Sequence, residues 1–136
     1  MDDPNQTMLL STLHRGVLVT RRREDLLQTS PIVGATDEQG RFLISSRQTA
    51  YKVRNLRREP RSTLCLFVDE FFGPWLQVDG NSAIVDLPDA LPLLVATYRR
   101  ISGEHPNWVE FESAMISEDR VIIAVDIDSI GPARAG

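Results

Sequence analysis

Ser45-Ser46-Arg47-Gln48-Thr49-Ala50-Tyr51-Lys52-Val53-Arg54-Asn55-Leu56-Arg57-Arg58-Glu59-Pro60-Arg61 is the stretch that organises the whole chain. Before it, Arg41-Phe42-Leu43-Ile44-Ser45 reads as a strand, short and apolar after the turn composition Asp37-Glu38-Gln39-Gly40. Within it the period changes. Ala50, Val53 and Leu56 recur every three residues and Pro60 stops the run, so residues 46–59 predict a short helix with a basic outer face. After it, residues 61–68 return to strand, and the unbroken Leu64-Cys65-Leu66-Phe67-Val68 predicts burial on both faces.

Working outward, residues 5–15 predict a helix with Leu9, Leu10 and Leu13 on one side, and Gly16 to Thr20 a β-branched strand. The polar run Arg21 to Asp25 predicts a hairpin connection. It leads into extended chain from Gln28 to Thr36, where Pro31 predicts an edge or bulge. Residues 69–74 predict a loop, and residues 75–86 a longer strand kinked at Gly80-Asn81. Residues 89–102 predict a helix with Leu91, Leu94, Tyr98 and Ile101 in one stripe and Gly103 as its stop. A further helix over 107–115 and a strand over 120–127 complete the order. Short turns between β-rich segments imply antiparallel pairing: a mainly β fold, about six strands closed into a barrel, with helices outside.

At 136 residues and 42% hydrophobic content, one domain over 1–136 is expected to bury its own core. The single Cys65 allows no disulfide within the chain and is expected as a small buried hydrophobe. An acidic start and no apolar run near the length of a bilayer span predict a soluble, cytoplasmic protein without membrane contact. Net charge is -4, unevenly placed. Residues 1–68 carry eleven Lys+Arg against seven Asp+Glu, whereas residues 69–136 carry four against twelve. Seven of the cations fall between Arg41 and Arg61, opposed there only by Glu59. A local basic patch on an acidic chain suits a small anion, and with Tyr51 its only aromatic it speaks against nucleic acid.

The usual chemical devices are missing. No Gly-rich dinucleotide turn, phosphate loop, cysteine pair or His pair at metal spacing occurs, so no metal is expected. His14 and His105 read as surface or helix-end residues. With no acid/base set or nucleophile in view, any catalysis must come from a cofactor. The strand-to-helix junction at Ser45 and Ser46, followed by cations, is where helix amides and positive charge act together on a phosphate. Lys52, the one lysine among fourteen arginines, lies three residues from Asn55 on what should be a shared face.

Lys52-Val53-Arg54-Asn55-Leu56-Arg57-Arg58-Glu59-Pro60-Arg61, together with Tyr98-Arg99-Arg100-Ile101-Ser102-Gly103-Glu104-His105-Pro106-Asn107-Trp108 and the later Ala114-Met115 and Asp119-Arg120-Val121, resembles the pyridoxamine 5'-phosphate oxidase-like split β-barrel superfamily. The nearer likeness is to the actinobacterial reductases that use the deazaflavin coenzyme F420, and it covers Gly16 to Ile130. The resemblance implies a homodimer with two cofactor grooves between subunits. It implies that Lys52 meets the phosphate or acidic tail with Asn55 beside it, that Ser45 and Ser46 lie near the ribityl chain and phosphate, and that Gln28, Ser30 and Pro31 border the tricyclic ring. Trp75 is either a wall of the pocket, given by one subunit or the other, or packing in the core or dimer, and Trp108 is packing. Two departures stand out. Ala50 occupies a place where many members carry arginine, which shifts the anion grip to Arg47 or Arg54, and Glu24-Asp25-Leu26-Leu27 replaces a turn that usually contains glycine. The implied activity is hydride transfer from reduced F420 to an electron-poor C=C or C=N bond of a small-molecule substrate. An FMN-binding oxidase-like enzyme and a non-catalytic F420 or FMN carrier are the alternatives.

Overall fold

The computed structural model describes residues 3–131. Helix α1 (Pro4–Thr12) begins with proline in its first turn and Asp3 as cap, whose carboxylate accepts from the Asn5 amide at 2.8 Å. Six strands follow: β1 (Arg15–Arg21), β2 (Leu27–Thr36), β3 (Phe42–Arg47), β4 (Arg61–Phe67), β5 (Trp75–Val85) and β6 (Arg120–Gly131). They close an antiparallel barrel in the order β1-β2-β3-β6-β5-β4. Helix α2 (Tyr51–Arg58) links β3 to β4, while α3 (Ala90–Ser102) and α4 (Trp108–Ser117) pack outside. Among the described residues no helix is long and apolar enough to cross a membrane.

Alternation builds the interior. Leu18, Ile32, Phe42, Ile44, Leu64, Leu66, Val78, Val121, Ile123 and Val125 point inward and are buried, joined by Val53 and Leu56 of α2. Leu43, Ile122 and Ala124, on the opposite side of β3 and β6, pack with Ala90, Leu94 and Phe111 in a second core beneath α3 and α4. β5 changes register against β6 between Asp79 and Gly80, the kink expected at Gly80-Asn81. A Cβ on Gly80 would come within 2.2 Å of the Asp126 carbonyl oxygen, so only glycine permits that approach.

Two expectations change. β4 is not buried on both faces: Ser62, Leu64 and Leu66 are buried, but Thr63, Cys65 and Phe67 are half-exposed on the outer side. Its apolar outer residues are only half-covered, and Cys65 is therefore not a core residue. The helix also starts later than residue 46, because Ser46 and Arg47 stay in β3, paired with Val121 and Arg120. That extension matters. β2 and β3 pair only at Gly34/Ile44, Ala35/Leu43 and Thr36/Phe42, so Pro31 to Val33 and Ser45 to Arg47 are not paired with each other.

Candidate functional site

A cleft of about 540 Å³ occupies that parting of β2 and β3. Pro31, Ile32 and Val33 form one side, and Ser45, Lys52 and Arg120 another. Leu94, Thr97, Tyr98 and Ile101 of α3 with Phe111 and Met115 of α4 supply an apolar wall. Local sequence explains each placement. β3 leaves the β2 ladder and carries Ser45 outward; Ala50 then caps α2 without a side-chain hydrogen bond, and Lys52 falls in its first turn. Arg120 opens β6 directly across the ladder from Arg47.

The electrostatics favour an anion. Burial pushes the Lys52 ammonium below its ordinary value, and the like charge of Arg120 pushes it further. Arg120 donates to Glu118 at 3.0 Å, and Glu118 also accepts from Arg47 at 3.3 Å, so one carboxylate serves two guanidinium groups. Among the described residues Lys52 has no acidic partner. An anion between Lys52 and Arg120 relieves both the desolvation and the repulsion.

Behind the apolar wall lies a packed aromatic group. Tyr98 stands 5.0 Å from Phe111, 5.8 Å from Trp108 and 5.2 Å from His105, measured between ring centres. The Arg99 guanidinium lies over the Trp108 ring at 4.7 Å and donates to Glu104 at 2.6 Å. Trp108 is packing, as expected. His105, expected as a surface or helix-end residue, lies at the helix-end position between α3 and α4, packs half-buried in this cluster, and its Nδ1 accepts from the Asn107 amide just ahead of α4.

The residues expected at one site are divided. Pro31, Ser45 and Lys52 meet in the cleft. Gln28, Arg54 and Asn55 line a different groove of about 740 Å³, along with Arg22, Arg23, Leu26, Tyr51, Arg57 and Arg58. Asn55 is not beside Lys52. It is buried with Val53 and Leu56, donates from Nδ2 to Thr20 Oγ1 at 3.1 Å and accepts from Arg58, so it ties α2 to β1. Ser46 is also buried, its hydroxyl donating to the Arg47 carbonyl oxygen. Ser30 is half-buried on the inner side of β2, paired with Leu18. Trp75 begins β5 on the outer side of the barrel opposite Phe67 and lines neither hollow. Of the arginines weighed for the anion grip, Arg47 is held by Glu118, and Arg54 faces the second groove with its guanidinium 5.9 Å from the Tyr51 ring centre. Arg120, Tyr98, Ile101, Phe111 and Met115 were not anticipated at the site; their signal is strand register and helix packing, which no local pattern carries.

Against known families, residues 3–132 match the pyridoxamine 5'-phosphate oxidase family. The chain belongs to that family. Among solved structures, a conserved hypothetical protein from Mycobacterium tuberculosis aligns with a TM-score of 0.77 at 19% identity, covering 96% of this chain and 82% of the other. A protein described as an F420 reductase aligns with a TM-score of 0.69 at 22% identity, covering 91% and 94%. The general stress protein 26 of Bacillus anthracis aligns with a TM-score of 0.61 at 15% identity, covering 93% and 89%. These likenesses establish a shared fold, and family membership places the chain among the flavin-binding pyridoxamine 5'-phosphate oxidase-like oxidoreductases.

Proposed function

We propose that this pyridoxamine 5'-phosphate oxidase family member is an F420-dependent reductase that works as a homodimer, with its cofactor in the Lys52 cleft. The observation that carries the reading is the meeting of two cations, Lys52 and Arg120, with an apolar aromatic wall in a single hollow. Such a hollow offers an anionic end and a flat end together, and its volume lies in the range of ordinary cofactor sites. The structural neighbours include an F420 reductase and two proteins described as pyridoxamine 5'-phosphate oxidases, so the preference for the deazaflavin over FMN rests on the sequence resemblance.

The residues fit such a group. Lys52 and Arg120 would hold its phosphate, with the Ser45 hydroxyl free to donate, while Tyr98, Ile101 and Met115 would back the ring and exclude water. When bound, the reduced deazaflavin supplies a hydride for an electron-poor C=C or C=N bond of a small molecule. The protein's part is orientation and a dry contact surface. The homodimer is supported by the outer barrel face, where Val17, Val19, Cys65, Phe67 and Trp75 remain half-exposed and Leu27 and Val33 exposed.

Fluorescence titration tests the cofactor. F420 is expected to bind at least tenfold more tightly than FMN, and Lys52→Ala to weaken it without lowering the melting temperature of the unliganded protein. Preference for FMN would overturn the deazaflavin assignment. Tight binding without turnover of a panel of activated alkenes would make the chain a carrier.

A further inference from the structure

Hydride addition leaves a reduction half finished. When a hydride from the reduced deazaflavin enters the β-carbon of an electron-poor alkene, the C=C π bond breaks and its electron pair moves to the α-carbon and the activating group beside it. That pair needs a proton, while the apolar wall behind the ring keeps water away. The protein then has to carry the acid itself. Five side chains that line the cleft bear an N–H or O–H: Ser45, Lys52, Thr97, Tyr98 and Arg120. Thr97 is buried and its hydroxyl donates to the Leu93 carbonyl oxygen at 2.7 Å. Arg120 is tied to Glu118, and a guanidinium does not give up its proton. Lys52 serves the anionic end of the hollow, and Ser45 offers only an alcohol, a far weaker acid than a phenol.

Tyr98 differs from these four in place and in freedom. It belongs to the α3–α4 wall rather than to the cationic end. Its ring is held by Phe111, Trp108 and His105, whose centres lie 5.0, 5.8 and 5.2 Å away, so its hydroxyl has a set direction. Among the described residues no protein group bonds to that hydroxyl, yet no buried polar side-chain atom lacks a partner. The Tyr98 hydroxyl is therefore open to space, and the hollow that Tyr98 lines is this cleft. We propose that Tyr98 is a catalytic residue, the acid that protonates the α-carbon after hydride addition. The inference rests on the reductase reading above and adds the source of the proton. The Tyr98 O–H bond breaks as the α-carbon C–H bond forms, the alkene gains the two electrons that the deazaflavin loses, and the phenolate regains a proton from water at the open side of the cleft.

Reduction of 2-methylcyclohex-2-enone with reduced F420 is the test, because protonation makes the α-carbon of the product stereogenic and its handedness records the donor. Tyr98→Phe keeps the aromatic packing. It is expected to lower kcat about 100-fold, to leave the F420 dissociation constant within about threefold of wild type, and to turn a product of one hand into a nearly racemic one, since solvent then protonates from either side. Wild-type kcat and handedness in Tyr98→Phe would overturn the assignment. So would a loss of F420 binding as large as the loss of kcat, which would make Tyr98 part of the binding wall alone. A second readout needs no turnover. The chain has two tyrosines, so in a Tyr51→Phe background the tyrosine ζ-carbon NMR signal belongs to Tyr98. It is expected to shift when oxidised F420 saturates the protein, and an unmoved signal would place the hydroxyl outside the cleft and overturn the assignment. A wild type that reduces no activated alkene would overturn the reductase reading together with this one; the other failures, in an active wild type, overturn this one alone.

Discussion

Helix α2 stands between two basic hollows, and the one with fewer charges is the better cofactor site. The arginine groove draws five guanidinium groups, but Arg57 is answered by Asp86, Arg58 by backbone oxygen, and Glu24 lies in the same wall. The Lys52 cleft holds Arg120, which shares Glu118 with Arg47, and Lys52, which burial and the like charge of Arg120 leave short of negative charge, and an apolar wall stands beside them. Charge count is thus a poor guide. What distinguishes a site is charge that the protein itself has not neutralised, set against a surface that sheds water.

Attacking the wall should produce the largest effect. Phe111 belongs to both the cleft and the second core, so Phe111→Ala should cost about 3 kcal/mol of stability and abolish tight cofactor binding, read by denaturant unfolding and titration. Lys52→Ala should weaken the cofactor about 100-fold without lowering the unfolding midpoint; equal loss in the unliganded protein would make Lys52 structural. Asn55→Ala inverts that pattern. It leaves the Thr20 hydroxyl buried without its partner and should cost about 1.5 kcal/mol. Glu24 and Asp25 adopt positive φ of 63° and 64° with full side chains, so Glu24→Gly should stabilise by about 1 kcal/mol. Arg57→Ala should change stability by less than about 1 kcal/mol, since its pair with Asp86 is open to solvent.

These contrasts also show how far the sequence could be read. Strands, helices and the Gly80 kink follow from local pattern, because period and turn chemistry are local. Lys52 and Ser45 were singled out by the strand-to-helix junction and Pro31 by the family resemblance, and the three line one cleft. Asn55 was misplaced because three-residue spacing gives proximity along a helix but not which side meets the barrel, and only the contact with Thr20 decides that. Arg120 and the α3–α4 wall depend on which strands neighbour each other across some seventy residues of chain. The half-exposed side of β4 was hidden for a related reason: an apolar run looks the same whether its second face is packed or open.

The smallest effect separates the hollows most cleanly, because lysine titrates where arginine does not. Lys52 is lowered from 10.5 in the folded chain, so between that lowered value and 10.5 the unfolded chain binds more protons than the folded one. Stability of the unliganded protein should therefore rise with pH across that window, and Lys52→Met should flatten the rise. Anion affinity in the cleft must move the other way, since an anion needs the ammonium and loses it as pH climbs through the lowered value. Guanidinium groups stay charged throughout, so contacts in the arginine groove should show no such slope. Cofactor affinity falling while stability rises, in wild type and not in Lys52→Met, would place the anion at Lys52; parallel slopes in the two proteins would move it elsewhere.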